Sequence, residues 1–246
     1  MVLLADYLVQ LAALGLRSFF ESERDVTRRG RDSAMAEIDP IAELRKVYGR
    51  ALDLHRDLYE ASNTHREAHG KGCDVYPSSV AQAPLWALLV ALVGAQRFLE
   101  VGCGLGYTAA LMATAGGPRS RVDTIESDPV HADLAERAIT RKRLGTRVRV
   151  LRGGALSVLP DLRRPYDVVF LDGDWREYPR YLPHIVRLTR RGSVIVTANI
   201  SPLMGGWGTD LPGRNEIRTY LQRLVRDRRF RTHIAHGEWH AYSFRL

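Results

Sequence analysis

Cysteine is scarce in this chain: 246 residues hold two, Cys73 and Cys103. Two thiols so placed match neither a disulfide framework nor a zinc-ligand spacing. A reducing cytoplasm is the expected setting. Lysine is nearly missing too, with only Lys46, Lys71 and Lys142 among 36 basic residues. The basic excess is therefore arginine, a bias that genome composition explains as readily as function does. A net charge of +8 still attracts polyanions, so RNA stays on the list of partners. Long apolar runs are absent as well. Met1 to Phe20 is interrupted by Asp6, Gln10 and Arg17, which argues against a membrane span. It has no basic start and no small-residue cleavage site, which argues against a signal peptide. It reads as an amphipathic helix covering the domain surface or a second subunit, with a membrane-surface helix as the lesser alternative. Repeats and low-complexity tracts are lacking. The length fits one α/β domain with an N-terminal addition.

What the chain does have is a glycine loop. Phe98-Leu99-Glu100-Val101 is a short apolar run that predicts a buried strand. Gly102, Gly104 and Gly106 follow at every second position, and Tyr107 to Ala115 then predicts a helix. Glycine allows positive φ and close approach of backbone to a ligand. Strand, glycine loop and helix form the first unit of a nucleotide-binding α/β sheet. A lone loop is a weak signal. Support comes 20 residues past Gly106, where Val122 to Ile125 predicts a second strand ending in Glu126. A carboxylate there can accept hydrogen bonds from both ribose hydroxyls. The spacing departs from the dinucleotide fingerprint G-x-G-x-x-G. Glu100 also suits a ligand with an ammonium group better than one with phosphates. S-adenosylmethionine is therefore favoured over NAD, and over a structural turn with no ligand.

The rest of the chain keeps the same rhythm. Glu21 to Asp32 is a solvated linker or exposed helix. Asp39-Pro40 opens a helix whose apolar positions run from Ile41 to Leu58. His65, Glu67 and His69 are spaced H-x-E-x-H, not as the H-E-x-x-H of zinc proteases, and read as a solvated helix end. Gly70 to Ser79 is a loop and Val80 to Val93 an apolar helix. Asp128-Pro129 starts a helix to about Leu144, and Val148 to Leu151 is a third strand. Gly153-Gly154-Ala155 then makes a turn placed to reach an adenine. Tyr166 to Leu171 is a fourth strand ending at Asp172, followed by a helix bearing Tyr178 and Tyr181. Gly192 precedes a fifth strand, Val194 to Val196, which ends near Asn199. Such alternation implies a mainly parallel sheet with ligands beyond the strands' carboxyl ends, where Glu100, Glu126, Asp172 and Asn199 all fall. Ile200 to Gly213, with Met204 and Trp207, reads as a mobile cover over a substrate pocket. Arg214 to Arg231 is helical, and its arginines read as a solvated face. Phe230 to Ala235 and Trp239 to Phe244 form a closing antiparallel hairpin around His236-Gly237-Glu238. Its histidines, His233, His236 and His240, read as turn and sheet-surface residues. Cys103 reads as a small filler in the loop.

These residues resemble the class I S-adenosylmethionine-dependent O-methyltransferases, nearest the catechol and caffeoyl-coenzyme A branch. The resemblance runs from about Tyr76 to Leu246. It rests on Phe98 to Gly102 with Gly106-Tyr107-Thr108, and on Tyr166 to Asp174 with Tyr178 and Tyr181. It implies a Rossmann-like methyltransferase sheet, mostly parallel with a C-terminal antiparallel hairpin and helices on both faces, over 76–246. Residues 1–75 would be an N-terminal helical extension. By position, Ser78, Glu100, Gly102, Thr108, Glu126 and Ala155 would bind S-adenosylmethionine; Gly104, Gly106, Tyr107, Ser127 and Gly154 stand beside them in the loops. The family holds Mg²⁺ or a similar ion through residues at Asp172 and Asn199 and at the position of Ala198, and it has a catalytic lysine where this chain has Trp175. With that carboxylate and that ammonium gone, no metal site is assigned, although Asp174 or Asp210 could supply a ligand.

The expected function is methyl transfer from S-adenosylmethionine to the hydroxyl of a small, aromatic acceptor. Asp172 would be the general base, with Asn199 the second catalytic candidate. A tRNA or RNA methyltransferase, and a cofactor-binding relative without the family's chemistry, are the alternatives; a nicotinamide oxidoreductase ranks below them. A cytoplasmic homodimer is expected.

Overall fold

Tyr166–Leu171 is buried at every position, and it is the middle strand of a seven-stranded sheet. A central parallel strand is covered on both faces and so must be apolar throughout. The exception, Asp167, is fully engaged. One oxygen accepts from the amides of Gln96 and Arg97 at 2.9 and 3.0 Å, and the other from Arg190 at 2.5 Å. The computed structural model describes residues 39–200, 203, 212–235 and 240–246. The N-terminal helix and the charged linker lie outside the described residues. So do most of the cover segment, with Met204, Trp207 and Asp210, and the hairpin turn with His236.

Two helices and a 3₁₀ turn come first: α1 (Pro40–Tyr48), the turn Gly49–Asp53 and α2 (Arg56–His69). The sequence predicts one helix from Ile41 to Leu58. It breaks because Gly49 and His55 both adopt left-handed φ, +55° and +54°. Then follow α3 (Gln82–Val93), β1 (Arg97–Val101), α4 (Tyr107–Ala115), β2 (Arg121–Glu126), α5 (Pro129–Arg141), β3 (Val148–Arg152) and the single turn α6 (Ala155–Val158). The chain continues through β4 (Tyr166–Leu171), α7 (Tyr178–Arg187), β5 (Thr189–Thr197), α8 (Arg214–Arg226), β6 (Phe230–Ala235) and β7 (His240–Arg245). The strand order is β3-β2-β1-β4-β5-β7-β6. β1 to β5 pair parallel, and β7 pairs antiparallel to both β5 and β6. This is the mostly parallel sheet with a closing hairpin that the sequence predicts.

Successive strand residues point to opposite faces, and the two cores follow that alternation. Phe98, Val168, Phe170 and Val196 pack with Trp86 of α3 and the alanines and leucine of α4. Leu99, Val169, Leu171 and Ile195 pack with Tyr178, Tyr181 and Ile185 of α7 and Tyr220 of α8. Leu58 of α2 belongs to the first core. α5 starts where Asp128 caps it, its carboxylate accepting from the amides of Val130 and His131 at 2.7 and 3.0 Å.

Three predicted boundaries move by more than two residues. α5 stops at Arg141 rather than Leu144, just before Arg143, whose φ is +58°. β5 begins at Thr189, taking in Gly192 at φ +88°, because the register against β4 slips between Tyr166 and Val168. α8 ends at Arg226 rather than Arg231. There Asp227 leaves the helical region and draws in Arg229, through its backbone amide at 3.0 Å and its side chain, before Phe230 joins the sheet. Of the hairpin histidines, His240 hydrogen-bonds across to Gln82 of α3 at 2.8 Å, and His233 stands opposite Tyr242 in the register.

Candidate functional site

The carboxyl ends of β1, β2, β4 and β5 open onto a cleft of about 790 Å³. Its floor is the glycine loop. Gly102, Gly104 and Gly106 all adopt positive φ, at +96°, +53° and +89°. Gly102 is the tightest point, since a Cβ there would collide with the carbonyl oxygen of Asp172. The amides of Gly102 and Cys103 donate to Ile125 O at 3.0 and 3.1 Å, which ties the end of β1 to β2. Gly104 N and Asp128 N donate to the two carboxylate oxygens of Glu126 at 2.8 and 2.9 Å. Glu126 is 8% exposed, held from the loop on one side and from the start of α5 on the other. Thr108, in the first turn of α4, donates its hydroxyl to Ser78 Oγ at 3.2 Å.

Nine of the residues singled out in the sequence line this cleft: Ser78, Gly102, Gly104, Tyr107, Thr108, Glu126, Ser127, Asp172 and Asn199. Four do not. Gly106 faces Ile139 and Ala135 of α5, which a Cβ there would meet at 3.4 and 3.6 Å. Gly154 is exposed, and Ala155 is buried at the start of α6. Glu100 is 1% exposed within β1. Its Oε2 accepts from Thr124 Oγ1 at 2.5 Å, and its Oε1 is buried with no partner among the described residues. Burial holds its pKa well above the usual carboxylate range, and the charges of Asp172 and Glu126 push the same way. Asp74, Arg176 and His131 line the cleft as well, and the sequence reading passed over them. His131 carried one signal, its place in the first turn of the helix that follows Glu126.

At the other end stand Asp172 and Asn199. Asn199 donates its side-chain amide to Asp172 Oδ1. Asn199 sits at φ +57°, a region where asparagine is the most tolerated residue after glycine. Burial raises the Asp172 pKa to about 7. A carboxyl so poised can take a proton at neutral pH. Trp175 lines the same end and donates its indole N–H to Pro212 O at 2.7 Å. Asp174 is engaged by Arg176 through its backbone amide and guanidinium, which holds its pKa down. Ala198 offers no side-chain donor, and its carbonyl accepts from Tyr178 OH at 3.3 Å. Among the described residues, the carboxylate of Asp172 and the amide of Asn199 are bonded to each other at this end.

The family model described as O-methyltransferase matches residues 59–231. A catechol O-methyltransferase of Mycobacterium tuberculosis is 38% identical over 123 residues, which are 50% of this chain and 56% of that protein. A catechol O-methyltransferase of Niastella koreensis is 35% identical over 147 residues, 58% of this chain and 65% of that one. The matches therefore span less than two thirds of these relatives' length. Among solved structures, the O-methyltransferase TomG from Streptomyces achromogenes, in complex with S-adenosylmethionine, superposes with a TM-score of 0.66. It is 27% identical, with 80% of this chain and 92% of that one covered.

Proposed function

The chain belongs to the O-methyltransferase family, and from that premise we propose that it methylates the hydroxyl of a small aromatic acceptor, using S-adenosylmethionine. One observation carries the reading: a single cleft joins a glycine-floored end containing Glu126 to an end containing a desolvated carboxyl, Asp172. Glu126 would hold the ribose hydroxyls. Gly102, Gly104, Ser78, Thr108 and Ser127 would surround the remainder of the cofactor, with Tyr107 at the same wall. S-adenosylmethionine supplies an electrophilic methyl group when bound. Asp172 accepts the proton of the acceptor hydroxyl at a carboxylate oxygen, and Asn199 orients that carboxylate through their hydrogen bond. Trp175 offers an indole face for a ring. Much of the rate would come from orientation at attack distance.

A divalent ion does not fit this donor set. Mg²⁺ prefers octahedral oxygen ligation built on carboxylates; here position 198 is alanine and Asp174 is held by Arg176, which leaves Asp172 as the one carboxylate, with Oδ1 already accepting from Asn199. The proposed reaction therefore proceeds without a metal at Asp172. A homodimer is part of the same reading. Leu88 and Leu92, one helical turn apart on α3, are 54% and 70% exposed and give a stripe that a second copy would cover. No helix among the described residues is long and apolar enough to cross a membrane.

The test is calorimetry with S-adenosylmethionine, its demethylated product and NAD, followed by transfer of labelled methyl to simple catechols with and without chelator. Binding of the first two, and transfer insensitive to chelator, is expected. Tight NAD binding without the others would remove the methyltransferase reading, and loss of transfer restored by Mg²⁺ would remove the metal-free mechanism.

A further inference from the structure

We propose that His65, Cys73 and His131 form a metal site for Zn²⁺ or a similar borderline ion, separate from the acceptor end of the cleft. The three residues come from α2, from the segment after the 3₁₀ turn Gly70–Gly72, and from the first turn of α5. Their ligand atoms all lie within 4.8 Å of one another. Cys73 Sγ is 3.9 Å from His131 Nε2, and the rings of His65 and His131 meet edge-on with centroids 5.2 Å apart. Tetrahedral zinc, with bonds of about 2.0–2.1 Å to nitrogen and about 2.3 Å to sulfur, sets its ligand atoms roughly 3.3–3.7 Å apart. The observed trio is open by about an ångström, which side-chain rotation can close.

The chemistry of the set selects the ion. One thiol and two imidazoles are soft to borderline ligands, unlike the all-oxygen set that Mg²⁺ needs. Cys73 is 4% exposed and packs among Val75 and Leu105, so it is screened from solution oxidants. His69 stands next to the trio, its ring 4.2 Å from that of His65. Its Nδ1 donates to His65 O at 2.8 Å. A carbonyl can only accept, so His69 Nδ1 is the donor; His69 itself is not one of the three converging ligands. Asp128 adds a negative charge facing both His65 and His131.

The ligands sit 58 residues apart in the case of Cys73 and His131, so no spacing motif announces them. An ion here would fasten α2 and the Cys73 segment to the start of α5. Both Gly72 and His131 line the cleft, so the clasp would fix the rim beside Glu126.

The experiment uses the full chain, stripped by chelation and desalted, then titrated with Co²⁺ and afterwards Zn²⁺. One equivalent of Co²⁺ is expected to give a near-ultraviolet thiolate-to-cobalt charge-transfer band, which Zn²⁺ abolishes by displacement. Zn²⁺ should also raise the unfolding temperature. Cys73→Ser should lose the band and the thermal gain, and His131→Ala should weaken Co²⁺ binding at least tenfold. His65→Ala, at a half-exposed position, should weaken Co²⁺ binding as His131→Ala does, and unchanged Co²⁺ affinity in both histidine variants overturns the proposal should Cys73→Ser fail to fold. No band at one equivalent overturns the proposal, as does a band that survives in Cys73→Ser. Uptake without a band means ligation without the Cys73 thiol and equally overturns it.

Discussion

At the proposed ribose end of the cleft the chain presents backbone, and at the proposed acceptor end it presents side chains. The glycine loop works through amides, positive φ and the lack of a Cβ at Gly102, with Glu126 clamped by two N–H groups. Asp172, Asn199 and Trp175 work through a carboxyl, an amide and an indole. Backbone sites tolerate few substitutions, because no other residue reproduces the geometry. Side-chain sites can be exchanged one at a time without harm to the fold. The departures from the resemblance, at Ala198 and Trp175, fall among side chains and not in the loop. The difference predicts that damage at the first end abolishes binding and damage at the second abolishes turnover.

The largest effect should come from Gly102→Val. A β-branched residue at φ +96° whose Cβ meets the Asp172 carbonyl combines backbone strain with overpacking, together about 3–5 kcal/mol. Urea unfolding should register that loss, and calorimetry should find no cofactor binding. A variant of near-native stability that binds normally would erase the distinction between the two ends.

Next comes Asp172→Asn, which should cut kcat about 10²–10⁴-fold and leave cofactor affinity within about twofold. Native turnover should rise with pH through about 7, where the carboxyl loses its proton, and the variant should lack that inflection. Stability runs the other way. A carboxyl whose pKa is raised in the fold favours folding below its unfolded value, and that contribution fades as pH climbs through about 7. Asp172→Asn has no charge to bury, so it should gain on the native protein above that pH. An unchanged rate profile would exclude Asp172 as the base.

Glu126→Ala should follow, with cofactor affinity about 100-fold weaker, from two charge-assisted hydrogen bonds lost at about 1.5 kcal/mol each. Glu126→Gln separates charge from shape: it keeps an acceptor and should lose less. Full affinity in the alanine variant would refute the ribose assignment.

The order of these effects tracks what could be read in advance. β1, the loop, α4 and β2 were legible because residue type alone fixes them: apolar run, spaced glycines, alanine-rich helix, terminal acid. The hairpin was legible from two β-rich runs around a short turn. The break at Gly49 was not, because apolar residues recur at helical spacing on both sides of it and only the positive φ of Gly49 and His55 reveals it. Nor was the convergence of His65, Cys73 and His131, which depends on how α2 folds back beside α5. Glu100 is the instructive case. Its position in the sequence marks it as facing the ligand, yet in the fold it lies within β1 and off the cleft wall.

Glu100 therefore supplies the smallest and most discriminating test. Burial keeps its proton on further up the pH scale than an ordinary glutamate, and Oε1 lacks a partner among the described residues. A cofactor ammonium held above the loop would stabilise the carboxylate and draw that proton off. Binding should then release a proton, visible as a dependence of the calorimetric heat on the buffer's ionisation enthalpy. Glu100→Gln keeps an acceptor for Thr124 Oγ1 and nearly the same shape. It should bind about tenfold or less more weakly, the scale of one modest polar interaction, and release no proton. Its stability should match the native protein at acid pH and exceed it as pH rises, because the raised native pKa contributes only while the carboxyl is protonated. Equal affinity and equal buffer dependence in the two proteins would confine Glu100 to the core of the sheet and leave Glu126 as the acid that meets the cofactor.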